Sequence, residues 1–109
     1  MNTYYETLFI VDPTLEQENV TKIVNDVKEY VKRNGGEIVN SESWGKRKLA
    51  YQIEKHKYGH YILLQYSSPG SLIHRLEERF ELNEKILSYM TVRLKKKPEM
   101  VKEEERKEQ

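Results

Sequence analysis

The residues of this chain best suited to chemistry are cations. Lys46, Arg47 and Lys48 are consecutive, and Arg93 with Lys95, Lys96 and Lys97 makes a second basic run. Ammonium and guanidinium groups held on an ordered element meet phosphate oxygens, so the two runs together suit a structured RNA. Composition alone would equally assign them to solvated surface charge. The first run lies inside Ser43-Trp44-Gly45-Lys46-Arg47-Lys48-Leu49-Ala50-Tyr51-Gln52-Ile53, which alternates from Lys46 onward as a pleated strand does. Lys46, Lys48, Ala50 and Gln52 fall on one face. Arg47, Leu49, Tyr51 and Ile53 fall on the other, where Leu49, Tyr51 and Ile53 are expected to enter the core. Gly45 stands where the alternation begins, and a glycine inside a strand marks a bulge, a bend or a close backbone approach.

Catalytic candidates are thin. His56, His60 and His74, the acid Asp12 and scattered glutamates make up the set. His56 and His60 have metal-pair spacing only on a helix, and here they flank a turn. The segment Val11-Asp12-Pro13-Thr14 carries an acid and neither glycine nor arginine, which repels phosphate rather than cradling it. No glycine-rich phosphate loop, triad or nucleophile elbow occurs. Neither an enzyme nor a metal or other cofactor is expected.

These side chains must be placed by a short succession of elements. Tyr4 to Val11 is an aromatic and β-branched strand closed by Asp12-Pro13, apolar at both parities and so expected at the centre of a sheet. Thr14 and Gln17 match a capping box, and Val20, Ile23, Val24, Val27, Tyr30 and Val31 follow at helical spacing until Asn34-Gly35-Gly36 stops the helix. Glu37 to Ile53 is a long second strand. Glu54-Lys55-His56-Lys57 is read as a wide basic loop leading into a third strand, Tyr58 to Tyr66, again apolar on both faces. Ser68-Pro69 opens a second helix with Leu72, Ile73, Leu76 and Phe80 on its buried stripe, and Ile86 to Lys95 is the last strand.

Two amphipathic helices cover only one face of a four-stranded sheet, so the expected architecture is an α+β, ferredoxin-like βαββαβ sandwich with an antiparallel sheet. Its open face would gather Leu8, Ile10, Tyr61, Leu63, Met90 and Val92 into one apolar patch, which calls for a partner. The RNA-recognition domain shares this order of elements, and Tyr58-Gly59-His60-Tyr61-Ile62 approaches its third-strand motif. His60 shifts the aromatics out of register there, so that Tyr61 alone faces the open side.

A chain of 109 residues supports one core. Residues 1–98 are assigned to the domain and 99–109 to a charged, disordered tail. That tail has five acids against three bases, a net of −2, which leaves +3 of the chain's +1 total to Met1–Pro98, a mild charge for an RNA binder. Cysteine is absent, in keeping with a reducing compartment. No basic stretch followed by an apolar run opens the chain and no long apolar run occurs, so no signal or membrane span is expected and the expected location is cytoplasmic.

From Tyr4 to Lys95 the sequence resembles ribosomal protein six of the bacterial small subunit. The most specific segment is Trp44-Gly45-Lys46-Arg47-Lys48-Leu49-Ala50-Tyr51-Gln52-Ile53. Tyr5-Glu6, Phe9-Ile10-Val11 and Pro13 are similar to that family's opening strand, and Phe80-Glu81-Leu82-Asn83-Glu84-Lys85-Ile86-Leu87 to its second helix and final strand. Two positions depart from its pattern: no arginine precedes Tyr4-Tyr5, and Ser88 stands where another is common. The resemblance implies a non-enzymatic ribosomal constituent that binds 16S rRNA together with ribosomal protein eighteen, the smaller partner covering part of the sheet. RNA contact would then fall to Lys46, Arg47, Lys48, Arg93 and Lys95, and protein contact to the apolar patch. A free-standing single-strand RNA binder, a ferredoxin-like enzyme such as an acyl phosphatase, and a module that binds protein alone are the alternatives.

Overall fold

Residues 2–100 are described by the computed structural model. The elements are β1 (Thr3–Val11), α1 (Gln17–Arg33), β2 (Glu37–Ile53), β3 (His56–Ser68), α2 (Gly70–Leu82) and β4 (Ile86–Arg93). The strands form one antiparallel sheet in the order β2-β3-β1-β4. Both strands that are apolar on two faces therefore lie in the middle, as their composition demands. The helices share one face, and the arrangement is the ferredoxin-like βαββαβ sandwich.

The core lies between helices and sheet. Phe9, Val11, Ile62, Leu64 and Tyr66 project from β1 and β3, and Val20, Val27, Val31, Leu72, Leu76 and Phe80 come down from the helices. Phe80 stacks on Phe9 with centroids 5.2 Å apart and meets Tyr89 at 5.3 Å. The Tyr66 hydroxyl, at the end of a fully buried ring, is satisfied by Thr7 Oγ1 at 2.7 Å, and Thr7 Oγ1 also meets Thr91 Oγ1 at 2.8 Å. Burial raises the Tyr66 phenol above its ordinary pKa, only partly opposed by the bond to Thr7.

Several boundaries differ from the sequence expectation, each for a local reason. Helix α1 starts at Gln17 with Glu16 as its N-cap and no side-chain cap. The Thr14 amide and hydroxyl both donate to Asp12 Oδ1, at 2.9 and 2.7 Å, so the hydroxyl meant for a capping box is spent one turn earlier. The wide basic loop is a two-residue turn. Glu54 and Lys55 both have positive φ, 45° and 74°, the backbone that matches the twist of paired strands, and Ile53 pairs directly with His56. Strand β4 ends at Arg93, which leaves Lys95 beyond it. At the end of α2, the Tyr89 hydroxyl donates to Glu81 Oε1 at 2.7 Å.

The end of β2 departs most. Its pairing with β3 is irregular between Lys48 and Ile53, and beyond that point alternation no longer assigns faces. Leu49 is 6% exposed, but Tyr51 is 74% exposed and Ile53 only half-buried, so the expected core trio reduces to one residue. Even Leu49 is not in the helix-side core. It packs on the opposite face of the sheet, beside Ile10, where both side chains crowd Gly59: a Cβ there would lie 2.2 Å from Ile10 Cγ2 and 3.2 Å from Leu49 Cδ2. Of the expected tail, Glu99 lies beside the sheet, its carbonyl bonded to Asn40, and Met100 is exposed, while residues 101–109 lie outside the described residues.

Candidate functional site

The face of the sheet away from the helices collects the predicted patch. Leu8 pairs with Leu63 on one side and Met90 on the other, Ile10 pairs with Tyr61, and Val92 lies opposite Glu6. Leu63 is buried among its neighbours, whereas Met90 is 61% and Val92 43% exposed. Register thus brings all six expected residues together on one surface.

That surface has an aromatic corner which sequence reasoning missed. The β2–β3 register shifts between Ser43 and Gly45, leaving Trp44 as the extra residue of a bulge, and Gly45 takes φ +80° to allow it. A bulge re-aims the side chain it carries. Here the indole stacks on Tyr61, with centroids 6.2 Å apart and 11° between planes. Arg47 then lies over the indole, its Cζ 5.3 Å from the ring centroid and its Nε donating to the Trp44 carbonyl at 3.4 Å. Trp44 immediately before Gly45 was the available signal, since a bulge at the glycine predicts that its neighbour leaves the alternation.

The five expected cations are not brought together. Lys46 pairs with His60 and Lys48 with Tyr58, on the helix side of the sheet, and Lys46 Nζ sits 5.3 Å from the Tyr58 ring centroid. Arg47 pairs with Gly59 and so points to the opposite face. Arg93 and Lys95 stand at the far corner. Arg93 is opposite Tyr5 on the other edge strand, whereas Lys46 is in the row of His60 and Val11. Six residues along β1 and three strand spacings separate the two rows, about 25 Å at standard strand geometry. One phosphate-binding cluster is therefore replaced by two distant basic corners.

Beside Lys46, His60 Nε2 lies 2.8 Å from Ser43 Oγ, and partial burial lowers the His60 pKa below its ordinary 6.5. For Asp12 burial pulls upward, but the amide and hydroxyl of Thr14 outweigh it and hold the carboxyl below its usual value.

The other end of the open face is closed by the chain itself. After β4 the Leu94 amide donates to the Tyr4 carbonyl at 2.8 Å, and the segment from Lys95 to Glu99 arches over Gln65 toward β2. There the Glu99 carbonyl accepts from Asn40 Nδ2 at 2.6 Å. Asn40 Nδ2 also donates to Gln65 Oε1 at 2.7 Å, and Gln65 Nε2 donates to Glu6 Oε1 at 2.8 Å, a polar row across three strands. Asn40, 6% exposed on a face with no helix, owes its burial to this strap.

Comparison with known proteins follows the same outline. The family model described as Ribosomal protein S6 matches residues 4–93. Small ribosomal subunit protein bS6 of Desulforapulum autotrophicum is 42% identical over 92 residues, 84% of this chain and 59% of that protein. The chain therefore spans about three fifths of that relative's length. The bS6 of Christiangramia forsetii is 41% identical over 92 residues and is covered to 82%. The crystal structure of 30S ribosomal protein S6 from Thermotoga maritima superposes with a TM-score of 0.81 at 28% identity, covering 86% of this chain and 89% of that one.

Proposed function

Since this chain belongs to the Ribosomal protein S6 family, we propose that it is a non-enzymatic constituent of the small ribosomal subunit, binding 16S rRNA together with ribosomal protein eighteen in the cytoplasm. One observation carries the reading: a sheet covered by helices on one face only, whose other face presents Leu8, Ile10, Tyr61, Leu63, Met90 and Val92 as a continuous apolar surface. Such a surface is stabilised by a protein cover, and the small ribosomal partner is the occupant that the family supplies. The basic corners at Lys46 and Lys48 and at Arg93 and Lys95 then give the pair its phosphate contacts. With only +3 on Met1–Pro98, the chain by itself holds RNA weakly, and the second protein contributes the remaining charge.

Reconstitution tests this. The purified chain is titrated onto a 16S rRNA fragment with and without ribosomal protein eighteen, and native small subunits are assayed for it. The expected results are one copy per subunit and RNA binding at least about tenfold tighter with the partner present. Equal affinity without the partner, or absence from native subunits, would overturn the reading.

A further inference from the structure

The Lys46-Arg47-Lys48 triplet is continuous in sequence, but the pleat of β2 delivers its members to different surfaces. We propose that Arg47, with Trp44 and Tyr61, forms the anchor of the protein-binding face and takes no part in RNA contact. The occupant of that face is a basic polypeptide presenting apolar side chains. This assignment rests on the reading above and deepens it, by naming the residues through which the partner is held.

Geometry separates Arg47 from its neighbours. It lies opposite Gly59, on the side of the sheet that carries Ile10 and Tyr61, whereas Lys46 and Lys48 lie opposite His60 and Tyr58 on the other side. Its guanidinium is already engaged by the Trp44 ring and carbonyl. Charge identifies the occupant. The carboxylates of this face are Glu42, opposite Leu63, and Glu6, opposite both Leu63's neighbour Gln65 and Val92. A nucleic acid laid on the open half would bring phosphates toward the Glu42 carboxylate and an aliphatic surface, a mismatch on both counts. A basic polypeptide would meet Glu42 with its cations and cover Leu8, Ile10 and Met90 with its apolar groups, while Glu6 is held by Gln65 beside the strap. The composition of the corner agrees, because tryptophan, tyrosine and arginine are the residues that most often carry the binding energy of protein interfaces. Trp44, at 36% exposure, is supported by Tyr61 and still accessible. The strap from Lys95 to Glu99 closes the far end of the face, so the docking area is confined to the half that includes this corner.

The experiment uses the full chain, Arg47→Gln, Trp44→Leu and the double variant Lys46→Gln/Lys48→Gln. Affinity for purified ribosomal protein eighteen is measured by calorimetry without RNA. The slope of log K against log salt is measured for the preformed protein pair on a 16S rRNA fragment. Arg47→Gln and Trp44→Leu are expected to weaken protein binding by about 5- to 30-fold and to leave the salt slope unchanged. The double lysine variant is expected to do the reverse, flattening the slope by about 1.4 to 1.8 with protein affinity unchanged. Because Trp44→Leu removes a packed ring, its helix content is checked by circular dichroism, and Arg47→Gln, which keeps the ring, decides if it misfolds. A slope reduced by Arg47→Gln with protein affinity intact makes Arg47 an RNA contact and overturns the proposal. So does an Arg47→Gln variant that changes neither quantity. Failure of the wild-type chain to bind protein eighteen overturns the partner reading and this assignment together, whereas wild-type binding that Arg47→Gln leaves intact overturns the assignment alone.

Discussion

Replacing Gly45 with alanine isolates a backbone demand from any question of space. A Cβ built at Gly45 has no heavy atom within 4 Å, so nothing in the fold is crowded by it. The demand is φ +80°, which places that Cβ against its own chain. Holding a non-glycine residue there costs about 1–3 kcal/mol, and the narrower unfolded ensemble of alanine returns about 0.4–1 kcal/mol. The expected net loss is about 1–2 kcal/mol, which for a domain of this size lowers Tm by roughly 5–15 °C. Closing the bulge would not relieve it. A one-residue slip of residues 45–48 against β3 would turn Leu49 away from Ile10 and Gly59 and bury the wrong side chains. Urea and thermal unfolding followed by far-ultraviolet circular dichroism measure the loss, with Gly45→Asn as comparison, since asparagine tolerates the left-handed region better. The expected order of stability is Gly, then Asn, then Ala. Alanine as stable as glycine, or no less stable than asparagine, would refute the conformational argument.

Other perturbations probe other parts of the molecule. Phe80→Ala removes a buried ring packed on Phe9 and Tyr89 and is expected to cost about 3–5 kcal/mol in urea unfolding. Asn40→Ala takes away the donor shared by Gln65 and the Glu99 carbonyl. It should cost about 1–3 kcal/mol and speed amide exchange at Leu94, whose N–H is bonded to Tyr4 at the root of the strap. His60 has a folded-state pKa below 6.5, so the folded protein takes up that proton less readily than the unfolded chain. The stability linked to this group is complete above pH 6.5 and is lost as pH falls through the lower folded value; His60→Asn should flatten that part of a stability profile recorded between pH 7.5 and 5. The hydrogen bond to Glu81 pushes the Tyr89 phenol up to about 12, and Glu81→Gln should bring its ionisation down in an alkaline spectrophotometric titration.

Much of the fold was legible because hydrophobic period encodes it directly. Apolar residues at both parities of Tyr4–Val11 and Tyr58–Tyr66 located the central strands, and register then assembled the Leu8, Ile10, Tyr61, Leu63, Met90 and Val92 patch without further information. Reasoning from local motifs fared less well wherever a side chain had a competing partner. Thr14 looked like a cap until Asp12 claimed its hydroxyl. Glu54 and Lys55 looked like part of a long loop because neither is a residue that composition associates with positive φ. The site was half legible. Alternation already separated Arg47 from Lys46 and Lys48, but grouping them by charge concealed the division. The Trp44 corner depended on a bulge, and the faces of Tyr51 and Ile53 on an irregular pairing past Lys48; strict alternation anticipates neither.

Trp44 is the single tryptophan of the chain, which makes the bulge an optical address. Intrinsic indole emission comes from one corner of the β2–β3 pair, on the side of the sheet away from the helices and from Phe9, Phe80 and Tyr66. A denaturation curve read by fluorescence thus follows that corner, while one read by circular dichroism follows α1 and α2. Coincident midpoints mean that the corner and the core melt as one cooperative unit, and an earlier fluorescence midpoint means that β2 peels from β3 first.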